Sequence, residues 1–342
     1  MVDAIVHELR LRADYLEQEK IQTVYFGGGT PSLLNDTHFK KIFNRINEIY
    51  SVEENAEITL EANPDDLSKE KLAILKENGI NRLSIGVQSF FDSDLEWMNR
   101  SHNSLEAHQV IENTYKAGFN NLSVDLIFGG LHANVDNWQT NLDIVVDYKI
   151  PHISCYGLTV EERTALAHQL KTGKTSIASE DQQSTFYQMA DKVLTEAGHM
   201  HYEISNYAFP GMLAKHNTSY WQQKPYIGIG PSAHSFNGHS RQWNVANNPK
   251  YLKALSDYTI PFEIEELSST DVFNEYLLTG LRTIWGCEWN RMNELDEKAT
   301  SKLRSELEAF VKDGQIEVDE DKIKLTTKGQ LIADNIIASL FI

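Results

Sequence analysis

The feature that most constrains the fold is a regular alternation of short apolar stretches with stretches of helical period. The chain opens with an amphipathic helix whose apolar residues recur at Ile5, Leu9, Ala13 and Leu16, and a short buried strand follows at 23–26. Further strands and helices alternate in units of roughly 30 residues, which is typical of parallel strands joined by right-handed crossovers. The sequence therefore predicts an α/β fold.

Five strands are predicted to be parallel neighbours in one curved sheet: 23–26, 57–60, 83–87, 122–127 and 152–156. The helices predicted between them are 36–49, 69–77, 104–117 and 138–146. Gly27-Gly28-Gly29 follows the first strand but continues as Thr30-Pro31-Ser32, which is not the G-x-G-x-x-G pattern of a dinucleotide site. A curved, barrel-like sheet is therefore favoured over a doubly wound one.

The sequence changes character near residue 268. Helices predicted at 271–282 and 302–311 precede a hairpin at 316–325, and a last helix runs from 327 towards 340. Helices followed by a hairpin resemble a winged helix, yet residues 265–342 hold 16 acidic against 9 basic side chains, which argues against DNA binding. The predicted domains are a partial barrel with its C-terminal extension at 1–245, a linker at 246–267 and a small winged-helix-like α+β domain at 268–342.

Composition excludes several classes of partner. The formal charge of −18 disfavours binding to nucleic acid, because phosphate contacts require Lys and Arg. No apolar run of 18 residues and no signal-like N-terminal segment occur, so neither an integral membrane segment nor secretion is expected. The only cysteines, Cys155 and Cys287, are too far apart in sequence for a metal knuckle, and a cytoplasmic location is predicted.

Each of the five predicted strands has a polar residue or glycine at or near its end: Gly27–Gly29, Glu61, Gln88, Asp125 within 124–127, and Tyr156-Gly157. Because the carboxyl ends of parallel strands meet at one edge, these residues predict a site for a polar, partly cationic small molecule. The alternative is local, with the glycines forming a tight turn and the two carboxylates capping backbone donors. Buried carboxylates are rarely left without a partner, which favours a ligand that supplies an ammonium group and hydroxyls.

Five segments, in order, resemble motifs of radical-SAM proteins, and specifically the group formed by oxygen-independent coproporphyrinogen III oxidase and a related heme chaperone. The segments are Tyr-Phe-Gly-Gly-Gly-Thr-Pro-Ser at 25–32, Glu-Ala-Asn-Pro at 61–64, Gly-Val-Gln-Ser-Phe at 86–90, Asn-Arg at 99–100 and Asp-Leu-Ile-Phe-Gly at 125–129. The resemblance runs from residue 20 to 245 and implies an incomplete radical-SAM (β/α)6-type barrel. It also implies S-adenosylmethionine contacts from Gly29, Thr30, Glu61, Gln88, Arg100, Asp125 and Gly157.

A second block resembles the chaperone branch of this group. His-Asn-Thr-Ser-Tyr-Trp at 216–221 is similar to the chaperone's heme-associated motif, and segments at 201–208, 226–236 and 241–244 surround it in sequence. The resemblance implies heme contacts from His216, Asn217, Tyr220 and Trp221. A neutral imidazole beside aromatic rings suits axial ligation of heme iron. The alternative is that His216 only hydrogen-bonds within a polar loop.

The chain departs from the family pattern in two places. The family's Cys-x-x-x-Cys-x-x-Cys loop lies on a strand before the helix with which this chain begins, so that strand and loop are expected to be absent. Thiolates ligate a 4Fe–4S cluster, and neither Cys155 nor Cys287 has the spacing to replace them, so this chain is not expected to ligate the family's cluster. The second departure is Gly-Gly-Leu-His at 129–132, where the family usually has Gly-x-Pro, and it concerns the shape of the loop after Asp125.

The resemblance implies a heme chaperone-like radical-SAM protein that binds heme and S-adenosylmethionine and transfers heme to an unidentified acceptor protein. One alternative is an enzyme, the oxygen-independent oxidase that decarboxylates coproporphyrinogen III in porphyrin biosynthesis. Another is an interaction module without a cluster, which the missing cysteines favour and the intact strand-end residues oppose.

Overall fold

A computed structural model describes residues 1–17 and 19–342. The chain divides into two compact units. The first unit consists of Met1–Val24, Leu34–Ala56 and Lys215–Ile342, and the second of Tyr25–Leu33 and Glu57–Ala214. The predicted boundaries at 245 and 268 stay a prediction, and the segment 246–267 contains one helix and one strand.

Within the described residues, thirteen strands form three sheets. They are β1 (Ile21–Phe26), β2 (Val52–Ala62), β3 (Arg82–Gln88), β4 (Leu122–Phe128), β5 (His152–Gly157), β6 (Met200–Glu203), β7 (Asn206–Ala208), β8 (His234–Phe236), β9 (Ser240–Asn244), β10 (Phe262–Glu266), β11 (Cys287–Glu288), β12 (Ile316–Val318) and β13 (Lys322–Leu325).

The α-helices are α1 (Val2–Leu11), α2 (Asp36–Ile49), α3 (Lys69–Glu77), α4 (Asp92–Trp97), α5 (Ser104–Lys116), α6 (Val135–Asp147), α7 (Ala165–Lys171), α8 (Glu180–Glu196), α9 (Lys215–Trp221), α10 (Asn248–Ser256), α11 (Ser269–Gly280), α12 (Trp289–Leu295), α13 (Glu297–Lys312), α14 (Thr327–Gln330) and α15 (Ala333–Ser339). Capping boxes begin four of them, with Asn35, Asn103, Ser179 and Ser268 as N-caps. Such caps fix where a helix starts, because they satisfy backbone N–H groups that the first turn leaves without partners.

The large sheet has the strand order β1-β2-β3-β4-β5-β7-β6 and curls into an incomplete barrel. The predicted order of its first five strands is confirmed, and β2–β3, β3–β4 and β4–β5 pair in parallel. Leu83, Ile85, Val124, Leu126 and Ile153 are fully buried, whereas Ser84 and Gly86, at the alternate positions of β3, are half-buried. The antiparallel pairs that add β7 and β6 were not predicted.

A buried carboxylate fastens α1 within the first unit. The side chain of Glu8 is fully buried and accepts hydrogen bonds from the Tyr251 hydroxyl at 2.5 Å, the Asn244 amide at 2.7 Å and the Gly230 N–H at 2.9 Å. Arg12, one helical turn later, lies 3.4 Å from the same carboxylate and donates to the Gln242 side chain at 2.7 Å. This network joins the start of the chain to residues more than two hundred positions later.

The C-terminal segment has the predicted winged-helix-like arrangement. Helices α11 and α13 precede the antiparallel hairpin of β12 and β13, as predicted. Two features were not predicted: β11 pairs with β13 as a third strand, and α12 lies between β11 and α13. The predicted last helix is interrupted at Leu331 and Ile332, so α14 and α15 are separate. Across residues 1–17 and 19–342, no helix is both long and apolar enough to cross a lipid bilayer.

Candidate S-adenosylmethionine site and candidate heme segment

The three glycines after β1 have different surroundings: Gly28 and Gly29 border open space, whereas Gly27 is crowded. Gly28 and Gly29 have φ angles of +69° and +66°, and a Cβ on either would meet nothing within 4 Å. A Cβ on Gly27, in contrast, would lie 2.5 Å from the Tyr25 ring and 3.0 Å from Glu61 Oε1. The loop therefore offers its bare backbone to a ligand, and only glycine suits all three positions.

Glu61, the second-to-last residue of β2, connects this loop to the sheet through hydrogen bonds. Its Oε1 accepts a 2.5 Å hydrogen bond from the Tyr25 hydroxyl, and its Oε2 accepts a 3.2 Å bond from the Gly28 N–H. Tyr25 was part of the motif that the sequence indicated but was not among the predicted contacts. Its position two residues before Gly27 is the signal, since alternate residues of a strand share a face.

Asp125 lies in the middle of β4. The hydroxyls of Ser84 and Ser154 approach its carboxylate, the first at 3.4 Å. Burial, together with the negative charge of Glu61, raises the pKa of Asp125 to about 6, against the opposing effects of the serine hydroxyls and Arg82. Two carboxylates that repel each other in one interior form a site suited to a positively charged ligand.

Arg100 and Gln88 stand near the end of β3. Arg100 Nη2 donates to Asn63 Oδ1 at 2.8 Å and to the Gly86 carbonyl at 3.2 Å, while its Nε is buried with no hydrogen-bond partner in the described part of the chain. Gln88 has a φ of +69° where the β3–β4 register shifts. A left-handed backbone at a residue other than glycine costs roughly 1 to 3 kcal/mol and is concentrated at functional sites.

Thr30 and Gly157 complete the predicted set. Thr30 is exposed directly after the glycine loop, and its carbonyl accepts a hydrogen bond from the Leu33 N–H at 3.1 Å. A Cβ on Gly157 would lie 3.1 Å from Gln183 Oε1 and 3.2 Å from the Phe128 ring, so a side chain here would be crowded. Among the described residues, neither Thr30 nor Gly157 hydrogen-bonds to Glu61 or Asp125. Their place in the predicted set therefore rests on their positions along the backbone.

The conformation of the loop after β4 explains why Gly129 and Gly130 stand where the family usually has Gly-x-Pro. Gly129 has a φ of +91°, and a Cβ on Gly130 would lie 2.9 Å from the Trp97 ring. Trp97 Nε1 in turn donates to the Thr175 hydroxyl at 3.2 Å. The second glycine therefore makes room for this indole.

These residues fit S-adenosylmethionine. Its ammonium, sulfonium and hydroxyls match the two carboxylates, and its carboxylate matches the unsatisfied N–H of Arg100. The residues present do not fit a 4Fe–4S cluster. Cys155 and Cys287 are both buried, burial raises the pKa of each thiol, and no three His, Cys, Asp or Glu side chains of the described chain could share a metal ion.

The segment predicted to contact heme forms helix α9 of the first unit rather than a loop. His216 Nδ1 lies 2.8 Å from the Thr23 hydroxyl, and His216 Nε2 lies 2.9 Å from the Tyr220 hydroxyl, one helical turn further on. Asn217 and Trp221, on the same helix, are half-buried. His216 therefore makes the local hydrogen bonds that a purely structural role would require, and its imidazole is also of the kind that can ligate heme iron.

Aromatic rings continue from His216 along the surface of the first unit. The rings of His216 and Tyr220 meet edge to face at 4.8 Å between centroids, and those of Tyr220 and Tyr226 at 4.6 Å. Tyr226 also faces Phe236 at 6.4 Å. Tyr220 is 41% exposed, so a planar apolar ligand can reach this row of rings from solvent.

Comparison with known proteins agrees with the observed fold. The Radical SAM superfamily matches residues 3–144. The coproporphyrinogen III oxidase HemN from Escherichia coli, described as a radical SAM enzyme, superposes with a TM-score of 0.84 at 21% identity, covering 99% of this chain and 82% of that one. The fold is therefore that of the radical SAM proteins.

Sequence relatives narrow the class. Heme chaperone HemW of Bacillus subtilis (strain 168) is 32% identical over 94% of this chain and 86% of that protein. Heme chaperone HemW of Lactococcus lactis subsp. lactis (strain IL1403) is 31% identical over 98% and 88%. The chain belongs to the heme chaperone HemW family.

Proposed function

We propose that the chain binds heme at α9, binds S-adenosylmethionine at the strand-end residues of the second unit, and passes the heme to an acceptor protein. The observation that carries the proposal is the His216 imidazole, positioned by two hydroxyls at the start of a partly exposed row of aromatic rings. The names of the relatives, heme chaperones, support the same function.

Each residue of the second unit has a defined part in this proposal. Glu61 and Asp125 accept hydrogen bonds from the ammonium and hydroxyl groups of S-adenosylmethionine, and Arg100 donates to its carboxylate. The Tyr25 hydroxyl orients Glu61 through the 2.5 Å hydrogen bond, so that the Gly28 N–H and the ligand face fixed oxygens. Iron–sulfur chemistry has no part in this proposal, because the described residues of this chain do not fit a cluster.

Heme is cargo in this proposal, and the hydroxyl of Tyr220 makes its binding reversible. Iron coordinated by His216 Nε2 would replace the hydrogen bond between Nε2 and the Tyr220 hydroxyl, and that hydrogen bond would re-form when the heme leaves. The iron–imidazole bond therefore competes with an internal partner, which lowers the net affinity. Moderate affinity is what a carrier needs in order to release its cargo to an acceptor.

A heme titration tests the proposal. Wild type is expected to bind heme with a shifted Soret band, His216→Ala to bind more weakly with an altered Soret position, and Glu61→Ala to match wild type. Circular dichroism of all three proteins monitors folding. Unchanged heme affinity in His216→Ala would contradict the proposal, and turnover of coproporphyrinogen III by the same preparation would favour the oxidase function instead.

A further inference from the structure

We propose that Thr23 is a positioning residue that selects the tautomer of His216, placing the proton on Nδ1 and leaving a lone pair on Nε2. The consequence for iron binding rests on the proposed heme function, whereas the tautomer itself does not. Thr23 and His216 are 193 residues apart in sequence, and both belong to the first unit.

The geometry around the ring gives each nitrogen one hydroxyl neighbour. Thr23 Oγ1 lies 2.8 Å from Nδ1, and the Tyr220 hydroxyl lies 2.9 Å from Nε2. A neutral imidazole has one donor and one acceptor nitrogen, so one hydroxyl must donate to the ring and the other must accept from it. A hydroxyl can do either, and the distances alone leave both arrangements open.

Donor strength decides between the two arrangements. A phenol, with a pKa of about 10, is a much stronger hydrogen-bond donor than an aliphatic alcohol. The favoured arrangement therefore has Tyr220 donating to Nε2 and the Nδ1–H donating to Thr23. In that tautomer Nε2 carries the lone pair that a metal ion requires, and the other ring nitrogen donates to a fixed oxygen, as in most metal-binding histidines.

Removing the Thr23 hydroxyl is expected to reverse the tautomer. In Thr23→Val the Nδ1–H loses its acceptor, while a proton on Nε2 can still be donated to the Tyr220 oxygen. Since valine suits a β-strand and matches threonine in shape, the strand itself is preserved. Heme affinity should then fall by roughly 10- to 100-fold, the usual cost of losing the partner that orients a metal-binding histidine.

The first experiment needs no heme. Long-range proton–nitrogen NMR of histidine-labelled protein, with His216 assigned from the spectrum of His216→Gln, reports which ring nitrogen is protonated. We expect Nδ1–H in wild type and in Thr23→Ser, and Nε2–H in Thr23→Val. The matched control is Thr218→Val, on the same helix as His216. The Thr218 hydroxyl is buried without a hydrogen-bond partner in the described part of the chain, so its loss should leave the tautomer of His216 unchanged.

The second experiment is the heme titration of the same variants. A loss of affinity in Thr23→Val that Thr23→Ser restores supports the positioning role. In the NMR experiment, a proton on Nε2 in wild type, or a proton retained on Nδ1 in Thr23→Val, would overturn the assignment of the tautomer. In the titration, equal heme affinity of Thr23→Val and wild type would overturn the role of Thr23 in heme binding. If wild type binds no heme, the proposed function fails, and the NMR result still decides the role of Thr23 in the tautomer.

Discussion

Replacing Asp125 by asparagine is expected to stabilise the ligand-free protein at neutral pH while weakening its affinity for S-adenosylmethionine. The wild-type carboxylate is buried, close enough to Glu61 to be repelled, and only partly compensated by serine hydroxyls and Arg82. Asparagine has nearly the same shape and can use the same serine hydroxyls, but it carries no charge. The substitution therefore removes an unfavourable ionisation from the folded state.

The size of the effect follows from the pKa. A carboxyl whose pKa rises from 3.8 to about 6 on folding makes the folded state about 3 kcal/mol less stable above pH 6 than below pH 3.8. The folded state binds the proton more tightly than the unfolded chain, so this contribution is fully favourable below pH 3.8 and is lost as the pH rises through about 6. Asparagine lacks this dependence.

Urea unfolding of both proteins across pH 4 to 7.5 measures the difference. The free energy of unfolding of Asp125→Asn minus that of wild type should rise by up to about 3 kcal/mol over this range, because groups that do not interact with Asp125 titrate equally in the two proteins. Asp143→Asn, at an exposed position of α6, should show no such trend. A difference that stays constant with pH would refute the raised pKa of Asp125.

The same variant tests the function of the carboxylate. A hydrogen bond to a charged group contributes about 1.5 to 3 kcal/mol, so Asp125→Asn should weaken S-adenosylmethionine binding by roughly 10- to 100-fold in calorimetry. A stabilised variant with reduced affinity would show that the carboxylate is kept for the ligand. Unchanged affinity would remove Asp125 from the site.

Two further predictions concern the buried network of Glu8 and the missing cluster ligands. Glu8→Ala should lower the free energy of unfolding by about 4 kcal/mol, the usual cost of removing one partner of a buried ion pair. The control Glu48→Ala, at an exposed pair with Arg45, should change it by less than about 1 kcal/mol. Similar losses for the two variants in urea unfolding would contradict the stabilising role of the Glu8 network. Reconstitution of this chain with iron and sulfide should give neither visible absorption of a 4Fe–4S cluster nor 5′-deoxyadenosine, because its two cysteines are buried and not grouped. Formation of both would show that other residues act as ligands.

The order of the parallel strands could be predicted because each strand carries its own signal. β3 and β4 have seven residues each, with buried apolar residues at alternate positions such as Leu83 and Ile85 or Val124 and Leu126, and helices separate each of them from the next strand. β6 and β7 have four and three residues, which is too short for a periodic pattern, and both fall in a stretch interpreted only as a motif. The pairing of β7 with β5, to which β6 is added through β7, depends on tertiary contacts that local sequence does not encode.

The strand-end residues could be predicted for a similar reason, since Glu61 and Asp125 lie on strands with clear boundaries. The partners of the site were harder to predict. The Tyr25–Glu61 bond spans 36 residues and the Thr23–His216 contact 193, so neither follows from spacing along the chain. Likewise the helical period of Ile5, Leu9, Ala13 and Leu16 predicts α1, but the helix ends at Leu11, before Ala13 and Leu16. The period also does not predict a buried Glu8 whose partners include Tyr251, far along the sequence.

The three-part composition of the first unit imposes an order on folding during synthesis. Glu8 leaves the ribosome 243 residues before Tyr251, its hydrogen-bond partner, and at roughly 5 to 20 residues per second the delay is roughly 12 to 50 seconds. During that delay Glu57–Ala214 is translated, and α1 and α2 still lack their partners in Lys215–Ile342. The nascent N-terminal helices therefore expose their apolar faces longest, and they are the segments that a ribosome-associated chaperone would bind during translation.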